Sequence, residues 1–249
     1  MQIGAFMKKV VFLGAKKIGL KCLEEMFARQ RELDFEIVAV GTSQRGVEIQ
    51  EFCKKHLIKE IQSLDDLFEL EFDLLFSVQY HLILTQAHID CAREMTFNLH
   101  LAPLPEYRGC NQFSFAILNE DSEFGVTLHK MDSRIDSGDI VFERRFAIPK
   151  NCFVDELVEL ANQKGLELFR EKLSKLINGD YLLKPQDECE AIRREFHYRN
   201  EIESLKYVDL YGGGALIEKI IRATSMPGFE PPYCIIGGRK FYFVSKSNS

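Results

Sequence analysis

The sequence lacks several features that would assign the chain to a particular class. Its seven cysteines are scattered without any CxxC pair, which favours free thiols in a reducing cytoplasm over a disulfide framework or a zinc site. No apolar run approaches the length of a membrane span. The N-terminus also lacks the ordered regions of a signal peptide. We therefore expect a cytoplasmic protein with no metal and no membrane partner.

Positive charge is also scarce. The 32 lysine and arginine residues are outnumbered by 38 aspartate and glutamate residues, which gives a formal net charge of −6. A broad nucleic-acid footprint normally needs a basic face, so we expect no nucleic-acid partner. Hydrophobic residues make up 46% of the 249 residues, which is ample for a sizeable core.

Short apolar runs alternate with helical patterns in the first part of the chain. The runs over 10–13, 35–40 and 72–78 are typical of buried parallel strands. Helices are expected over 20–30, 47–56, 64–70 and 86–94. The spacing of Gly14 and Gly19 does not fit GxGxxG, so a dinucleotide site is not expected. The pattern indicates an α/β fold with a Rossmann-like, mostly parallel sheet flanked by helices.

The pattern changes after a long amphipathic helix over 155–177, which should cover the sheet. From Lys184 the chain is irregular and rich in charge. A helix over 216–223 and a β-hairpin around Gly237-Gly238 are expected there. We divide the chain into a large domain over 1–183 and a small C-terminal α+β region over 184–249. Residues 1–6 are interpreted as an extension before a natural start at Met7.

Three polar residues lie at predicted strand ends. Asn98 and His100 are two apart in an apolar run, so a strand places both on one face. Asp136 follows a second strand, over 126–131, in a turn-rich acidic loop. Open α/β sheets bind ligands at such places. His129 lies in the second strand and is predicted to face away from Asp136. The alternative is that Asn98 and His100 only cap the strand and Asp136 only shapes a turn.

Three motifs in a fixed order carry a family resemblance: Asn98-Leu-His100; Leu104-Pro105 followed by Arg108-Gly109; and Ile135-Asp136-Ser-Gly138-Asp139. They resemble the signature of the N10-formyltetrahydrofolate-dependent formyltransferases over residues 8–149. The family includes methionyl-tRNA, glycinamide ribonucleotide and sugar-nucleotide enzymes. The resemblance implies that Asn98, His100 and Asp136 are the catalytic triad and that 1–183 is the catalytic domain. It implies N10-formyltetrahydrofolate as the formyl-donating cosubstrate.

The chemistry of these groups suits formyl transfer to an amine. Asn98 can donate an N–H to the carbonyl oxygen as that oxygen gains charge. Histidine is the side-chain type whose unperturbed pKa suits a base near neutrality, so His100 is the candidate base. Asp136 could orient the imidazole, stabilise its charged form or relay protons through water. The sequence leaves these three roles of Asp136 open.

The resemblance assigns six residues to the folate: Tyr80, His81, Leu82, Ile83, Asp132 and Ile135. A flat heterocycle needs apolar walls and a few donors and acceptors, and the stretch from Tyr80 resembles the family segment that holds the pterin ring. The alternative reading of Leu82 and Leu84 is ordinary core. His81 could equally be solvated or structural.

Six further residues are assigned to the amine substrate: Arg108, Asn111, Gln112, Arg222, Phe229 and Tyr233. Asn111 and Gln112 could bind sugar hydroxyls or phosphate, and the alternative for Asn111 is helix capping. Arg222 is predicted to point outward and bind a phosphate. Phe229 and Tyr233 could stack on a base. The alternative is a surface ion pair for Arg222 and a small satellite core for the aromatic residues.

The segments around Arg222, Phe229 and Tyr242 resemble the C-terminal part of sugar-nucleotide formyltransferases. Methionyl-tRNA formyltransferases continue into a further basic domain, so tRNA is not the expected substrate. We expect a dTDP- or UDP-linked 3- or 4-amino-deoxyhexose, used for surface polysaccharides such as lipopolysaccharide O-antigen, and a homodimer. The alternatives are a glycinamide ribonucleotide or methionyl-tRNA formyltransferase and, in another class, a non-catalytic nucleotide-binding module.

Overall fold

The computed structural model describes residues 7–44, 46–191 and 193–244. The interpretation of residues 1–6 as an extension lies outside these ranges. Within them the strands are β1 (Lys8–Gly14), β2 (Phe35–Gly41), β3 (Glu60–Ile61), β4 (Phe72–Val78), β5 (Ala92–His100), β6 (Tyr107–Gly109), β7 (Glu123–Lys130), β8 (Ile140–Ala147), β9 (Glu195–His197), β10 (Tyr233–Ile236) and β11 (Arg239–Tyr242). The α-helices are α1 (Lys16–Arg29), α2 (Val47–His56), α3 (Gln86–Ile89), α4 (Gln112–Leu118), α5 (Val154–Asn178), α6 (Glu201–Leu205) and α7 (Gly214–Thr224).

The central sheet has the strand order β3-β2-β1-β4-β5-β7-β8 over the described residues. The first five of these strands run parallel, and β7 and β8 are antiparallel to their neighbours. The parallel strands carry continuous apolar runs because both faces are covered. The predicted Rossmann-like, mostly parallel sheet with flanking helices is confirmed.

Helix α5 covers the sheet, as its amphipathic pattern predicted. Its buried face includes Leu157, Leu168 and Phe169. The Phe169 ring lies edge-on to Phe76 of β4, with ring centroids 5.9 Å apart. The helix ends at Gly179 in a left-handed conformation, with φ of +74°, which glycine adopts without penalty. The long helix thereby fixes the layer behind β4 and β5.

The helix predicted over 86–94 is wrong. Helix α3 has only four residues, begins with reciprocal capping between Thr85 and His88, and has ended by Asp90. The chain enters β5 at Ala92, which pairs with Phe72 of β4. Residues 92–96 contain good helix formers, but pairing with a buried strand overrides local propensity. The longer β5 carries Asn98 and His100 to its carboxyl end.

The C-terminal region pairs through its backbone with the preceding part of the chain at two places. Ile140 at the start of β8 and Lys184 exchange backbone hydrogen bonds of 2.8 and 2.9 Å. Strand β9 pairs in parallel with β6, with Arg108 opposite Phe196. Further along, Ala223 of α7 is buried in the same core as α5. The predicted β-hairpin is confirmed as β10–β11, and the division of the chain at 183/184 stays a prediction.

Candidate active site

The carboxyl end of β5 presents its polar side chains to β7. In this antiparallel pair Asn98 lies opposite His129, and His100 lies opposite Thr127. Directly opposed residues share a face of the sheet, so His129 points the same way as Asn98. The prediction that His129 faces away from Asp136 is wrong. Alternation within one strand does not show which face of the sheet a residue lies on, because that depends on the register with the neighbouring strand.

Backbone carbonyls fix the hydrogen on each imidazole ring. His100 Nε2 lies 2.8 Å from the carbonyl oxygen of Tyr107, and His129 Nδ1 lies 2.7 Å from that of Lys130. A carbonyl oxygen only accepts hydrogen bonds, so each of these nitrogens carries a hydrogen. In the neutral rings, His100 Nδ1 and His129 Nε2 therefore present lone pairs. Asn98 Nδ2 donates to the His129 lone pair over 3.0 Å.

The Asp136 carboxylate faces both lone pairs. Its Oδ1 lies 3.5 Å from His100 Nδ1 and 3.6 Å from His129 Nε2. An ionised carboxylate accepts but cannot donate, so two neutral rings leave Oδ1 without a donor from either. A hydrogen bond to either ring forms only when that ring takes up a second proton. One added proton would therefore supply the donor that Oδ1 lacks.

The electrostatic surroundings keep Asp136 ionised. Its side chain is 11% exposed, and this burial alone would raise its pKa. When the imidazoles are protonated, the charge on His100 and the contact with His129 outweigh that effect, together with the Gly109 N–H, 3.0 Å from Oδ2. Together they lower the pKa of Asp136 well below its usual range. The carboxylate is therefore charged at neutral pH.

The loop between β7 and β8, over 131–139, is tightly folded around Asp136. The Lys130 N–H donates to the carbonyl oxygen of Asp139 over 2.9 Å and closes the loop. A Cβ atom on Gly138 would lie 1.9 Å from the Lys130 carbonyl oxygen, so only glycine fits there. Asp132 Oδ1 accepts from the Arg134 N–H over 2.8 Å. Asp132 was assigned to the folate, but one of its carboxylate oxygens accepts a hydrogen bond within the loop.

A residue that sequence reasoning missed supports this loop from the C-terminal region. Gln186 Nε2 donates to the carbonyl oxygens of Asp136 and Gly138, over 2.9 and 2.8 Å. The only sequence signal was the Pro185-Gln186 pair, which marks a break but indicates no partner.

The turn after β6 lies beside the carboxylate and against β9. Gly109 has a φ of +84°, and a Cβ atom there would lie 2.4 Å from the His197 carbonyl oxygen. Asn111 occupies the N-cap position of α4 without capping it. Its Nδ2 donates instead to the carbonyl oxygen of Tyr198 over 2.8 Å, so the capping alternative is wrong. Arg108 and Gln112 are half-buried, and Arg108 Nε has no hydrogen-bond partner in the described ranges.

Three of the residues assigned to the folate are exposed apolar side chains. Leu82, Ile83 and Ile135 are large apolar side chains that remain exposed, so the alternative that Leu82 is ordinary core is wrong. Leu84 is buried, as that alternative expected. The half-buried Tyr80 packs against the apolar cluster that also contains Leu84 and Met131, at the start of the Asp136 loop. His81 is exposed beside Tyr80, with ring centroids 4.7 Å apart.

Three other substrate candidates lie apart from the polar cluster. Arg222 was expected to point outward, but its side chain is only 16% exposed and Nη1 donates to the Cys152 carbonyl oxygen over 3.2 Å. That expectation is wrong because α7 packs against both α4 and α5. Phe229 is exposed. Tyr233 is half-buried, with Lys240 Nζ 3.9 Å from its ring centroid.

The described ranges show no candidate metal cluster of three or more histidine, cysteine or acidic residues. In the same ranges all seven cysteines are free thiols. No helix there combines the length and apolar character needed to cross a bilayer.

Comparison with known families identifies the class of protein. The family model described as formyl transferase matches residues 13–173, which is more than half of the 249 residues. The chain belongs to the formyl transferase family. The matched range contains Asn98, His100, His129 and Asp136.

Curated relatives are similar over part of their length. The methionyl-tRNA formyltransferase of Bradyrhizobium diazoefficiens is 29% identical over 199 residues, which are 72% of this chain and 63% of that protein. The corresponding protein of Limosilactobacillus fermentum is 26% identical over 75% of this chain and 64% of its own length. The chain thus spans less than two thirds of these relatives.

Solved structures are similar over nearly the whole chain. WlaRD, a sugar 3N-formyl transferase crystallised with dTDP and 5-N-formyl-THF, is 26% identical, with a TM-score of 0.78. That match covers 95% of this chain and 85% of WlaRD. A 4-N formyltransferase from Francisella tularensis shares the fold, with a TM-score of 0.82 at 18% identity, over 98% of this chain and 100% of its own.

The lowered pKa of Asp136 predicts a pH-dependent contribution to stability. The folded-state pKa lies below the ordinary value near 3.8, so the ionised carboxylate stabilises the fold above that value, and this contribution fades as pH falls through the folded pKa. Asp136→Asn should therefore lower the free energy of unfolding at about pH 7, and the deficit should shrink below about pH 4. Urea unfolding across that range measures it.

The matched control for this prediction is Asp187→Asn, since the Asp187 carboxylate is fully exposed. It should change stability by less than about 0.5 kcal/mol. An Asp136→Asn deficit that stays constant with pH would contradict the electrostatic account.

Proposed function

We propose that the chain transfers a formyl group from N10-formyltetrahydrofolate to the amine of a nucleotide-linked amino sugar. One observation carries the reaction type: the buried Asp136 carboxylate faces two imidazole nitrogens that lack hydrogen when neutral. An amine that becomes an amide releases a proton, and this group gains a hydrogen bond by holding one. The family membership of the chain supports the same reaction.

The proposed formyl transfer needs no reactant other than the amine and the formyl donor. The amine nitrogen forms a bond to the formyl carbon, and the bond from that carbon to N10 of the folate breaks. The amine loses a proton, and N10 gains one. His100 Nδ1 holds that proton beside Asp136, because the His129 lone pair already accepts from Asn98. The Asn98 amide has two hydrogens, of which one is donated to His129, and the second can be donated to the formyl oxygen as it becomes negative.

Exposed apolar side chains are available for the flat ring of a folate. Leu82, Ile83 and Ile135 offer such surface, and Tyr80 packs against the cluster that contains Met131, at the start of the loop that carries Asp136. A flat heterocycle in such a place would be held mainly by apolar contact and a few polar groups. This arrangement supports a site for the formyl donor next to the proton-holding group.

A sugar nucleotide is the proposed amine substrate because of the extent of the structural likeness. The match to WlaRD, a sugar 3N-formyl transferase crystallised with dTDP, covers 95% of this chain at 26% identity. The net charge of −6 also disfavours a large RNA partner. We propose a dTDP- or UDP-linked 3- or 4-amino-deoxyhexose, with the product used in surface polysaccharides such as O-antigen.

Several companion inferences stay predictions. They are the homodimer, the cytoplasmic location, the extent of the catalytic domain over 1–183, and nucleotide binding through Arg108, Asn111, Gln112, Phe229 and Tyr233. Arg222 donates one N–H to the Cys152 carbonyl oxygen, so a direct phosphate contact would use its other donors.

A substrate panel tests the proposal. Purified protein is incubated with N10-formyltetrahydrofolate and, separately, with dTDP- and UDP-linked amino sugars, glycinamide ribonucleotide and charged initiator tRNA, and products are identified by mass spectrometry. We expect a formylated sugar nucleotide. Preferred formylation of the tRNA or the ribonucleotide would overturn the substrate assignment, and nucleotide binding without any turnover would favour a non-catalytic module.

The Asn98 amide gives a second prediction. Asn98→Ala should fold normally and lose turnover by about 10²–10³-fold, the cost of removing one oxyanion donor. Steady-state kinetics with the sugar nucleotide that gives the highest turnover measures this. Asn178→Ala is the matched control, because Asn178 is exposed at the end of α5 and should leave turnover unchanged. Near-normal turnover in folded Asn98→Ala would remove Asn98 from the reaction.

A further inference from the structure

Gln186 belongs to the C-terminal region but is buried against the Asp136 loop. The residue is 7% exposed. Both of its hydrogen bonds to that loop come from Nε2, which lies 2.9 Å from the Asp136 carbonyl oxygen and 2.8 Å from the Gly138 carbonyl oxygen. A carboxamide nitrogen has two hydrogens, so both donors of the side chain bind this loop.

The backbone of the loop needs such support. Asp136 has a φ of +52°, a left-handed conformation that is uncommon for residues other than glycine. Backbone strain of this kind persists only where the surroundings over-determine it. One of the two bound carbonyl groups belongs to the strained Asp136 itself. The other belongs to Gly138, two residues later in the chain. A donor that binds both carbonyl groups restrains the peptide plane that follows Asp136 and the one that follows Gly138, and so holds the loop that carries the Asp136 side chain.

Gln186 is itself firmly placed. Its backbone carbonyl oxygen accepts a hydrogen bond from Arg194 Nη1 over 2.8 Å. Two residues earlier, the β-bridge between Lys184 and Ile140 fixes the chain. In the described ranges Gln186 Oε1 is buried without a hydrogen-bond partner. An unpaired buried acceptor is costly, and an apolar side chain would avoid that cost. The two hydrogen bonds from Nε2 are the stabilising contribution that an apolar residue at this position could not make.

We propose that Gln186 is a positioning residue for Asp136. It holds the loop so that the carboxylate stays between His100 on β5 and His129 on β7, which are the titratable groups that face it, with the Gly109 N–H on β6. The catalytic part of this inference rests on the proposed function. The structural part, that Gln186 sets the surroundings of the carboxylate, does not.

Gln186→Leu removes both donors and keeps an apolar side chain of similar bulk. We expect turnover to fall by about 10²-fold, the effect of a misplacement near 1 Å, with the KM of both substrates nearly unchanged. Asp187→Asn, at the neighbouring exposed residue, is the control and should retain full turnover. Unchanged turnover in folded Gln186→Leu would overturn the proposal.

A double mutant distinguishes positioning from a general loss of stability. If Gln186 acts through Asp136, adding Gln186→Leu to Asp136→Asn should cost little further turnover, because the group that it positions is already lost. A loss in the double variant equal to the product of the two single losses would mean that Gln186 acts independently of Asp136.

A titration separates this inference from the proposed function. In protein with ¹³C-labelled aspartate, NMR follows the Asp136 carboxyl group without any substrate. Gln186→Leu should raise the pKa of Asp136 toward its ordinary value, because the loosened loop weakens the contacts with His100, His129 and Gly109. An unmoved pKa would overturn the proposal even if wild-type protein transfers formyl groups, and a raised pKa would support positioning even if it does not.

Gln186→Met provides a second variant in case the leucine does not fold. The methionine side chain has a similar length, carries no charge and has no N–H to donate to the two carbonyl groups. The same loss of turnover and the same rise in the pKa of Asp136 are expected. Wild-type values for both quantities would count against the proposal.

Discussion

A buried carboxylate between two imidazole rings is the interaction on which the rest of the site depends. Backbone carbonyls hold the hydrogens of His100 and His129 on the far sides of the rings, so Asp136 faces two lone pairs. Unlike an ordinary ion pair, this arrangement is incomplete until one proton arrives. That property links the geometry of a strand end to amine chemistry, because an amine that becomes an amide must release a proton.

The arrangement requires parts of the chain that are distant in sequence. The pairing of β5 with β7 brings His129 opposite Asn98, and β6 supplies the Gly109 N–H to Asp136. Strand β9 pairs with β6, and Gln186 binds the loop itself. Two of these supports come from beyond residue 183. The Rossmann-like sheet therefore positions Asn98, His100 and His129, and the C-terminal region completes their surroundings.

The sequence predicted what depends on local pattern. Asn98, His100 and Asp136 lie in short motifs at strand ends, and the alternation of a strand places the first two on one face. His129 could not be placed in this way, because its face depends on the register with β5. Gln186 carried no signal, since its partners are about fifty residues away. Arg222 was misplaced because α7 packs against two helices, which a single amphipathic pattern does not reveal.

The tautomers of the two histidines test the central claim most directly. Long-range ¹H–¹⁵N NMR spectra of labelled protein identify which ring nitrogen carries hydrogen in the neutral state. The structure predicts hydrogen on Nε2 of His100 and on Nδ1 of His129, with the Asn98 amide donating to His129 Nε2. Hydrogen on His100 Nδ1 or on His129 Nε2 would contradict the account, because Asp136 would then have a permanent donor and would gain nothing by holding a proton.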